Sequence, residues 1–310
     1  MTNKANNIAG LVIGVIAAAL GMLLVLFSFG NGLKFASYDL LFAIRPVIKP
    51  TEAVIIYMDE DSHTALNQSL TEPWDRNLHA KLVDRLTTAG AKAVVFDIHF
   101  SGVGRDPQAT RNLEHAIQRN GHVVLGADVI HPPSGQRGFA TKRILPPFDP
   151  LADVGAGIGS DELESDADVT VRRHLHASPD DLVPSLSWAA ASVAKAAPQQ
   201  QSAERWINYY GPPGAIPHLS YHRALEAPSD VFKDKVVFVG ARLMTKFAGE
   251  RKDEYRTPYR RPDDPFVSGV GIQATAFLNL VRGDWLRRLS PISFTRKPSV
   301  SYTHEIASSK

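Results

Sequence analysis

The most extended apolar stretch of the chain stands near its N-terminus. No residue between Lys4 and Lys34 is charged, and the apolar part covers 22 residues, 8–29. At about 1.5 Å per helical residue such a segment is about 33 Å long, which is enough to cross the hydrocarbon core of a bilayer. We therefore predict a transmembrane helix over residues 8–30, preceded by a short tail of residues 1–7.

A cleaved signal peptide is the alternative interpretation of this stretch. Such a peptide has an apolar region of about 7–15 residues, followed closely by small residues at a cleavage site. The apolar run here is longer, and residues 27–33 contain no Ala-x-Ala site, so we favour an uncleaved anchor. Gly10 and Gly14 form the Gly-x-x-x-Gly spacing that lets two membrane helices approach closely, which offers a face for a homodimer.

The next hundred residues alternate between short apolar runs and segments with helical spacing. Three runs have the character of buried strands: 53–58, 93–96 and 122–125. Two segments between them carry apolar residues every three to four positions and stop at a glycine: Leu78, Leu82, Val83 and Leu86 before Gly90, and Leu113 and Ile117 before Gly121. The alternation is typical of a parallel sheet covered by helices. We expect His79, inside the first helix, to be partly exposed.

The second half of the chain continues this alternation with longer irregular segments. Residues 130–150 are rich in Pro and Gly and predict a surface excursion. Further predicted elements are strands at 169–175, 206–209 and 235–239, a helix at 184–193, and a last helix with Ile272, Ala276 and Leu280 on one face. We predict one α/β domain over residues 35–285, with a mixed, mostly parallel sheet flanked by helices, and a disordered tail over 286–310.

Composition excludes several classes of function. The formal net charge is only +2, from 34 basic and 32 acidic residues, so the overall charge does not point to nucleic acid as a partner. There is no cysteine, which excludes disulfides, thiolate metal sites and a cysteine nucleophile. No Gly-x-Ser-x-Gly elbow of a hydrolase is present. We therefore predict that the chain is not an enzyme and needs no cofactor.

Two aspartates, Asp59 and Asp97, directly follow apolar strand runs. Ligands of open parallel sheets bind outside the carboxyl ends of the strands, so we expect both carboxylates on one rim. Asp253 follows the predicted strand that ends at Gly240 and is expected to join them, with Arg76 and Arg256 as the nearest basic residues. These five residues are the candidate ligand site, with no metal assigned. The other interpretation is that Asp59 and Asp97 cap helices or order turns.

Three further motifs have a plainer interpretation. The acidic run 161–168 lacks the glycine and glutamate of an EF-hand, so we expect a solvated loop with Arg172 and Arg173 nearby as partners for its acids. The glycines at 155, 157 and 159 are not followed by the remaining residues of a dinucleotide or Walker loop. The basic segment 242–261 could attract anions or a membrane surface, although we favour pairing with its own acids.

Eight short motifs follow one another in a specific order. They are Tyr38-Asp39; Met58-Asp59-Glu60-Asp61-Ser62; Pro73-Trp74-Asp75-Arg76; residues 90–97; Asp166-Ala167-Asp168 before Val171-Arg172-Arg173; residues 232–240; Asp253 before Thr257-Pro258; and Gly269-Val270. Each motif alone is weak, but the series, over about residues 35–285, resembles the CHASE2 family of extracytoplasmic sensor domains. Val169 departs from the family pattern, which usually has Gly after the Asp-x-Asp.

The resemblance implies a mixed α/β sensor displayed outside the cytoplasmic membrane, with the N-terminus in the cytoplasm. Such domains are normally joined through further membrane helices to a cyclase, kinase or diguanylate-cyclase output. After Trp285 the sequence shows neither a second apolar span nor an output domain, so we expect the chain to respond to a small ligand, as yet unidentified, or to act through a partner protein. Two alternatives stay open: a metal-dependent hydrolase-like enzyme using Asp59 and Asp97, and a truncated fragment of a CHASE2 cyclase or kinase.

Overall fold

The computed structural model describes residues 12–16, 28–130, 143–175, 183–196, 204–243, 254–259 and 266–287. Residues 12–16 are helical. The remaining helices are α1 (Ser28–Ile44), α2 (Glu60–Ala65), α3 (Arg76–Thr88), α4 (Pro107–Asn120), α5 (Asp149–Val154), α6 (Leu186–Val193), α7 (Tyr221–Ala224) and α8 (Gly269–Arg282). The strands are β1 (Ala53–Met58), β2 (Ala93–Asp97), β3 (Val123–Ile130), β4 (Arg143–Leu145), β5 (Gly157–Ser160), β6 (Arg173–His174), β7 (Arg205–Trp206), β8 (His218–Ser220), β9 (Val236–Ala241), β10 (Glu254–Tyr255) and β11 (Val267–Ser268).

Seven strands form the central sheet in the order β4-β3-β2-β9-β1-β8, and β5 also pairs with β3. Six of these strands run parallel, and β4 is antiparallel to β3. The predicted mixed, mostly parallel sheet flanked by helices is therefore confirmed. The strand β9, which comes late in the chain, lies between β1 and β2, so that Phe238 is level with both Ile55 and Val95.

Both faces of the sheet are buried because successive side chains of a strand point to opposite faces. Val54, Ile56 and Phe96 face a core built with α3 and α4, whereas Ile55 and Val95 face a second core built with α6 and α8. Strands that are covered on both faces read as continuous apolar runs rather than as alternating ones. This is why β1, β2 and β9 were visible in the sequence.

A third apolar cluster joins the two ends of the domain. Tyr38 and Phe42 of α1 pack with Ile272 of α8 and with Trp285, which follows that helix. Phe42 is 2% exposed and Tyr38 is 3% exposed. The helix that enters the domain and the segment that leaves it therefore share one small core.

One residue differs from the sequence-based expectation, and two glycines gain a structural explanation. His79 is buried rather than partly exposed, because Tyr221 and the rings of Phe96 and Phe100 close over it. The glycines at 157 and 159 lie in strand β5, and a Cβ on Gly159 would stand 2.5 Å from the Cα of Leu186. Glycine at 159 therefore permits the close approach of α6 to the sheet.

No helix in the described part of the chain is long and apolar enough to cross a membrane. The predicted span 8–30 lies mostly outside the described residues, which include only 12–16 and 28–30 of it. The predicted tail 1–7 lies outside them as well, as does most of the predicted disordered tail 286–310. Leu286 is described, and its backbone N–H donates to the carbonyl of Trp206 at 3.0 Å.

Candidate functional site

Asp59 stands at the carboxyl end of β1, where it caps α2. Its carboxylate accepts the backbone N–H of Ser62 at 3.0 Å and the Ser62 hydroxyl at 2.5 Å. The other oxygen accepts the hydroxyl of Ser220, at the end of the neighbouring strand β8, at 2.5 Å. Burial opposes ionisation, but the hydrogen bonds from Ser220 and Ser62 outweigh it and hold the pKa of Asp59 below its usual value. Asp59 therefore has the helix-capping role that was the alternative to ligand binding.

Asp97 ends β2 on the same rim of the sheet, but it is not the neighbour of Asp59. Asp97 is level with Gly240 of β9, which lies between β2 and β1. Two strand spacings put β1 and β2 about 9.6 Å apart. The shared rim is thus as expected, whereas the pairing of the two acids at one site is not supported. Asp97 instead lies beside α8, where its Oδ2 is 3.6 Å from the position of a Cβ on Gly269. Asp253 lies outside the described residues.

The two predicted arginines have other partners in the described part of the chain. Arg76 begins α3 and is 8% exposed; it donates to the Thr110 hydroxyl and to the carbonyl of Ser101, both at 2.9 Å, and so fixes the loop after β2. Burial lowers its pKa. Arg256 lies over the ring of Phe266, and its backbone N–H donates to the carbonyl of Val169 at 2.9 Å. The contacts of the four described candidates thus lead to different partners, and the five-residue ligand site stays a prediction.

The structure places a different charged site around Arg172, which is 1% exposed. All five N–H groups of its guanidinium are used by three carboxylates: Asp39 and Asp168 each accept two hydrogen bonds at 2.9 Å, and Asp166 accepts one at 2.8 Å. We call these four residues the Arg172 cluster. Burial opposes the charge of Arg172, but the hydrogen bonds that it donates to Asp39, Asp168 and Asp166 outweigh this effect and raise its pKa. Hydrogen bonds from Arg172 also hold the pKa of Asp168 far below its usual range.

The Arg172 cluster joins α1 to the body of the domain. Asp39 lies on α1, whereas the other three members lie about 130 residues later in the chain. Phe35, one turn before Asp39, places its ring 4.6 Å from the guanidinium carbon. One position before Asp39, the hydroxyl of Tyr38 donates to the carbonyl of Ile207 at 2.6 Å. Helical spacing thus gives α1 one face that is bonded to the domain.

A tight turn presents the two later carboxylates to Arg172. The N–H of Val169 donates to the carbonyl of Asp166 at 2.8 Å, and the N–H of Thr170 donates to Asp168 Oδ1 at 3.2 Å. Val169 has φ +64°, in the left-handed region that favours glycine. The Gly that the family usually has at this position is explained by this backbone conformation.

The members of the Arg172 cluster were visible in the sequence as motif residues, but the bond between Asp39 and Arg172 was not predicted. The pairing of Arg172 and Arg173 with the acidic run is confirmed, since Arg173 also donates to Asp166 at 2.6 Å. Asp39 was missed as a partner because nothing in a local pattern connects residues so far apart. No group of three or more His, Asp or Glu residues among those described is arranged to hold a metal ion. The hydrogen bonds of the cluster can therefore hold α1 in a fixed position on the domain.

The model of the CHASE2 domain family matches residues 12–301, which is most of the chain. Searches of curated proteins and of solved structures gave no match. The match includes every member of the Arg172 cluster and the helix that carries Asp39. The match confirms the resemblance that the sequence motifs indicated. It also supports a sensory role, because the family is one of extracytoplasmic sensor domains. On this match, together with the α/β sheet, the chain belongs to the CHASE2 domain family.

Proposed function

We propose that this chain is a membrane-anchored, extracytoplasmic sensory domain in signal transduction, without enzymatic activity of its own, and that it transmits conformational change through α1. The observation that carries the proposal is the bidentate ion pair between Asp39 of α1 and the buried Arg172. A helix held by two parallel hydrogen bonds and an aromatic contact moves with the domain rather than independently of it. A change in the domain therefore has a direct route to the N-terminal segment.

The surface of the N-terminal helices supports a membrane anchor. Within residues 12–16, Ile13 is 67% exposed and Val15 is 62% exposed. On α1, the face turned away from the domain carries Leu40, 64% exposed, and Ile44, 78% exposed. Large apolar side chains in such a series are uncommon on a water-facing surface, and they are typical of contact with lipid or protein. The apolar segment 8–30 precedes and overlaps this helix, which agrees with a span that continues into α1.

The two ends of the domain also lie next to each other, which suits the transmission of a conformational change. The ring of Tyr38 on α1 is 5.1 Å from the ring of Trp206, and the backbone of Leu286 pairs with the same tryptophan. A shift of the segment around Trp206 would displace both the incoming helix and the outgoing chain. Any partner or further membrane segment attached at either end would receive the same motion.

The hydrolase alternative lacks comparable support. Asp59 is occupied as a helix cap and as the acceptor of Ser220, and β9 separates it from Asp97. Neither acid is placed to share a metal ion or a substrate atom with the other. We therefore keep the sensory function as the proposal and expect the purified chain to show no cyclase, kinase or nucleotide-hydrolysing activity.

A reporter fusion tests the proposal. Alkaline phosphatase fused after Trp285 of the full chain should be active, and the activity should remain in the membrane fraction, because an uncleaved span holds the domain on the outer side. The same fusion without residues 8–30 is the control and should lose both activity and membrane association. An inactive full-length fusion would reverse the proposed topology. An active fusion that is released in soluble form would instead favour a cleaved signal peptide.

A further inference from the structure

A cleft opens between strand β1, helix α8 and the Gly- and Pro-rich segment 211–216. Its volume is about 420 Å³, part of it open to solvent. Ile55 lines the cleft from β1, and Gly271 and Thr275 line it from α8. Neither Asp59 nor any member of the Arg172 cluster is among the lining residues. The cleft is therefore separate from the groups described above.

No charged residue lines the cleft in the part of the chain that the structure describes. The lining residues are glycines, prolines, aliphatic residues, three tyrosines and two threonines. The guanidinium carbon of Arg242 lies 5.2 Å from the centre of the Tyr57 ring, but Arg242 is not a lining residue. Moving an ionic group from water into such surroundings is unfavourable unless an opposite charge receives it. The walls therefore favour a neutral ligand.

Three hydroxyl groups on the walls donate to acceptors within the domain. Tyr209 donates to the carbonyl of Val171 at 2.7 Å, and Tyr210 donates to Asp284 at 2.9 Å. Thr275 donates to a carbonyl of its own helix at 2.8 Å. These hydrogen bonds fix the walls, so that rings and aliphatic groups supply most of the contact surface.

Thr257 is the lining residue that points to a ligand. Its side chain is buried, with 3% of the residue exposed, yet its hydroxyl makes no hydrogen bond to any residue that the structure describes. A buried hydroxyl without a partner is costly to the folded state, and a bound molecule with one polar group would remove that cost. The cleft thus offers one hydrogen-bonding group within a mainly apolar surface.

We propose that this cleft binds a small neutral molecule that is mainly apolar and carries one hydroxyl or carbonyl group. The polar group forms a hydrogen bond with the hydroxyl of Thr257. The apolar part packs against Ile55, Val267 and the prolines of the segment 211–216, and its removal from water drives binding. A short alcohol or a cyclic ketone has this chemistry.

The wall of the cleft is joined to α1, which gives a ligand there an effect on the N-terminal helix. The ring of Tyr209 lies 6.1 Å from that of Phe42 on α1, and its hydroxyl holds the carbonyl of Val171, next to the Arg172 cluster. Just after α1, the backbone N–H of Ile48 donates to the carbonyl of Tyr210 at 2.8 Å. A molecule that fills the cleft therefore restrains the two tyrosines against which α1 is docked.

This inference deepens the proposed function by naming a ligand class for the sensor. The sensory role of the cleft rests on that function, whereas the binding itself does not. The reporter fusion can fail while binding is observed, and binding can fail while the topology stands.

The test measures binding of cyclopentanol to the full chain in detergent micelles by NMR of labelled isoleucine methyl groups. The δ1 methyl resonance of Ile55, assigned with Ile55→Val, should shift saturably. The resonance of Ile117, in the core on the other face of the sheet, should not move. Cyclopentylammonium and cyclopentanecarboxylate carry a charge on the same ring and should bind at least about tenfold more weakly.

Two variants locate the ligand. Thr257→Val keeps the shape of the side chain without its hydroxyl, so cyclopentanol should bind about fivefold more weakly. Methylcyclopentane has no hydroxyl and should bind to that variant and to the unmodified chain equally. Gly271→Ala adds a methyl group beside two other lining residues, 3.2 Å from Val267 Cγ1 and 3.7 Å from Tyr57 Oη. It should weaken binding of both molecules by about tenfold or more, because the methyl group takes up space in the cleft.

Gly32→Ala is the matched control, since Gly32 is also helical and a Cβ there meets nothing within 4 Å. It should bind cyclopentanol as the unmodified chain does, and an unchanged Ile117 resonance in each variant shows that the domain is folded. No saturable shift of Ile55, or undiminished binding by Gly271→Ala, would overturn the site. A charged analogue that binds as tightly as cyclopentanol would overturn the ligand class, and equal binding by Thr257→Val would overturn the hydrogen bond.

Discussion

At the scale of single residues, Val169 carries an identifiable strain. A β-branched side chain at φ +64° crowds its own backbone, which costs about 1–2 kcal/mol relative to an ordinary conformation. We predict that Val169→Gly raises the free energy of unfolding by about 1 kcal/mol, since the greater flexibility of glycine in the unfolded chain offsets part of the gain. Chemical denaturation of the full chain in detergent measures this difference.

Ala167→Gly, in the same turn, is the control for that prediction. Ala167 does not have a positive φ, so glycine there relieves no strain and only adds flexibility to the unfolded chain. It should lower the free energy of unfolding by about 0.5–1 kcal/mol. A loss of stability in Val169→Gly as large as in Ala167→Gly would contradict the strain at Val169.

His79 makes the stability of the domain depend on pH. Burial, with a smaller contribution from Arg76, lowers the pKa of His79 to about 3, and its Nδ1 lies 2.9 Å from the hydroxyl of Tyr221. The unfolded chain, with a histidine pKa of about 6.5, therefore binds a proton that the folded domain does not. The stability that the domain gains from keeping His79 neutral is complete above pH 6.5 and is lost as the pH falls towards 3. Between pH 6.5 and 5 we predict a loss of about 2 kcal/mol.

Two variants separate the titration of His79 from its packing. His79→Phe should show a weaker pH dependence over this range, whatever its stability at pH 7. Tyr221→Phe removes the hydrogen-bond partner but keeps the buried imidazole, so the free energy of unfolding should still fall with pH as in the unmodified chain. Denaturation midpoints at several pH values measure both, and an unchanged slope in His79→Phe would show that another group titrates.

At the scale of elements, the Arg172 cluster holds α1 on the domain. Arg172→Met would remove the cation that Asp39 and Asp168 share and would leave Asp166 with Arg173 alone, and we predict a loss of about 3–5 kcal/mol in the free energy of unfolding. Arg119→Met is the control, because Arg119 pairs with Asp84 on the surface, with side chains 57% and 48% exposed. That exposed pair should contribute at most about 1 kcal/mol. Similar losses in both variants would mean that the buried cluster stabilises the domain no more than an exposed ion pair does.

The sequence predicted elements whose signals are local. The run Ala53–Met58 coincides with β1, and Gly121 and Gly283 end α4 and α8 with φ +69° and +65°. Such signals depend on burial and on backbone freedom, which neighbouring residues reveal. The insertion of β9 between β1 and β2 depends on contacts between distant segments, which an apolar run cannot specify. For the same reason Asp59 and Asp97 were placed correctly on one rim but incorrectly beside each other.

At the scale of the whole molecule, the candidate site was only partly predictable. The acidic run and Arg172 were recognised as neighbours because they are close in sequence. Asp39 was noticed only as a family motif, and its bond to Arg172 follows from the docking of α1 along residues 206–210.

The most direct measurement is the distance between α1 and the domain in the full chain in lipid nanodiscs. The chain has no cysteine, so spin labels at Leu40→Cys and Lys81→Cys report on one pair of positions, in α1 and α3. The account predicts one narrow distance distribution, which Asp39→Ala broadens because α1 loses both of its hydrogen bonds to Arg172. A label pair inside the domain, Lys81→Cys with Glu226→Cys, should stay narrow in that variant. A broad distribution between α1 and α3 in the unmodified chain, or a narrow one that Asp39→Ala leaves unchanged, would contradict the claim that the Arg172 cluster couples the sensory domain to its N-terminal helix.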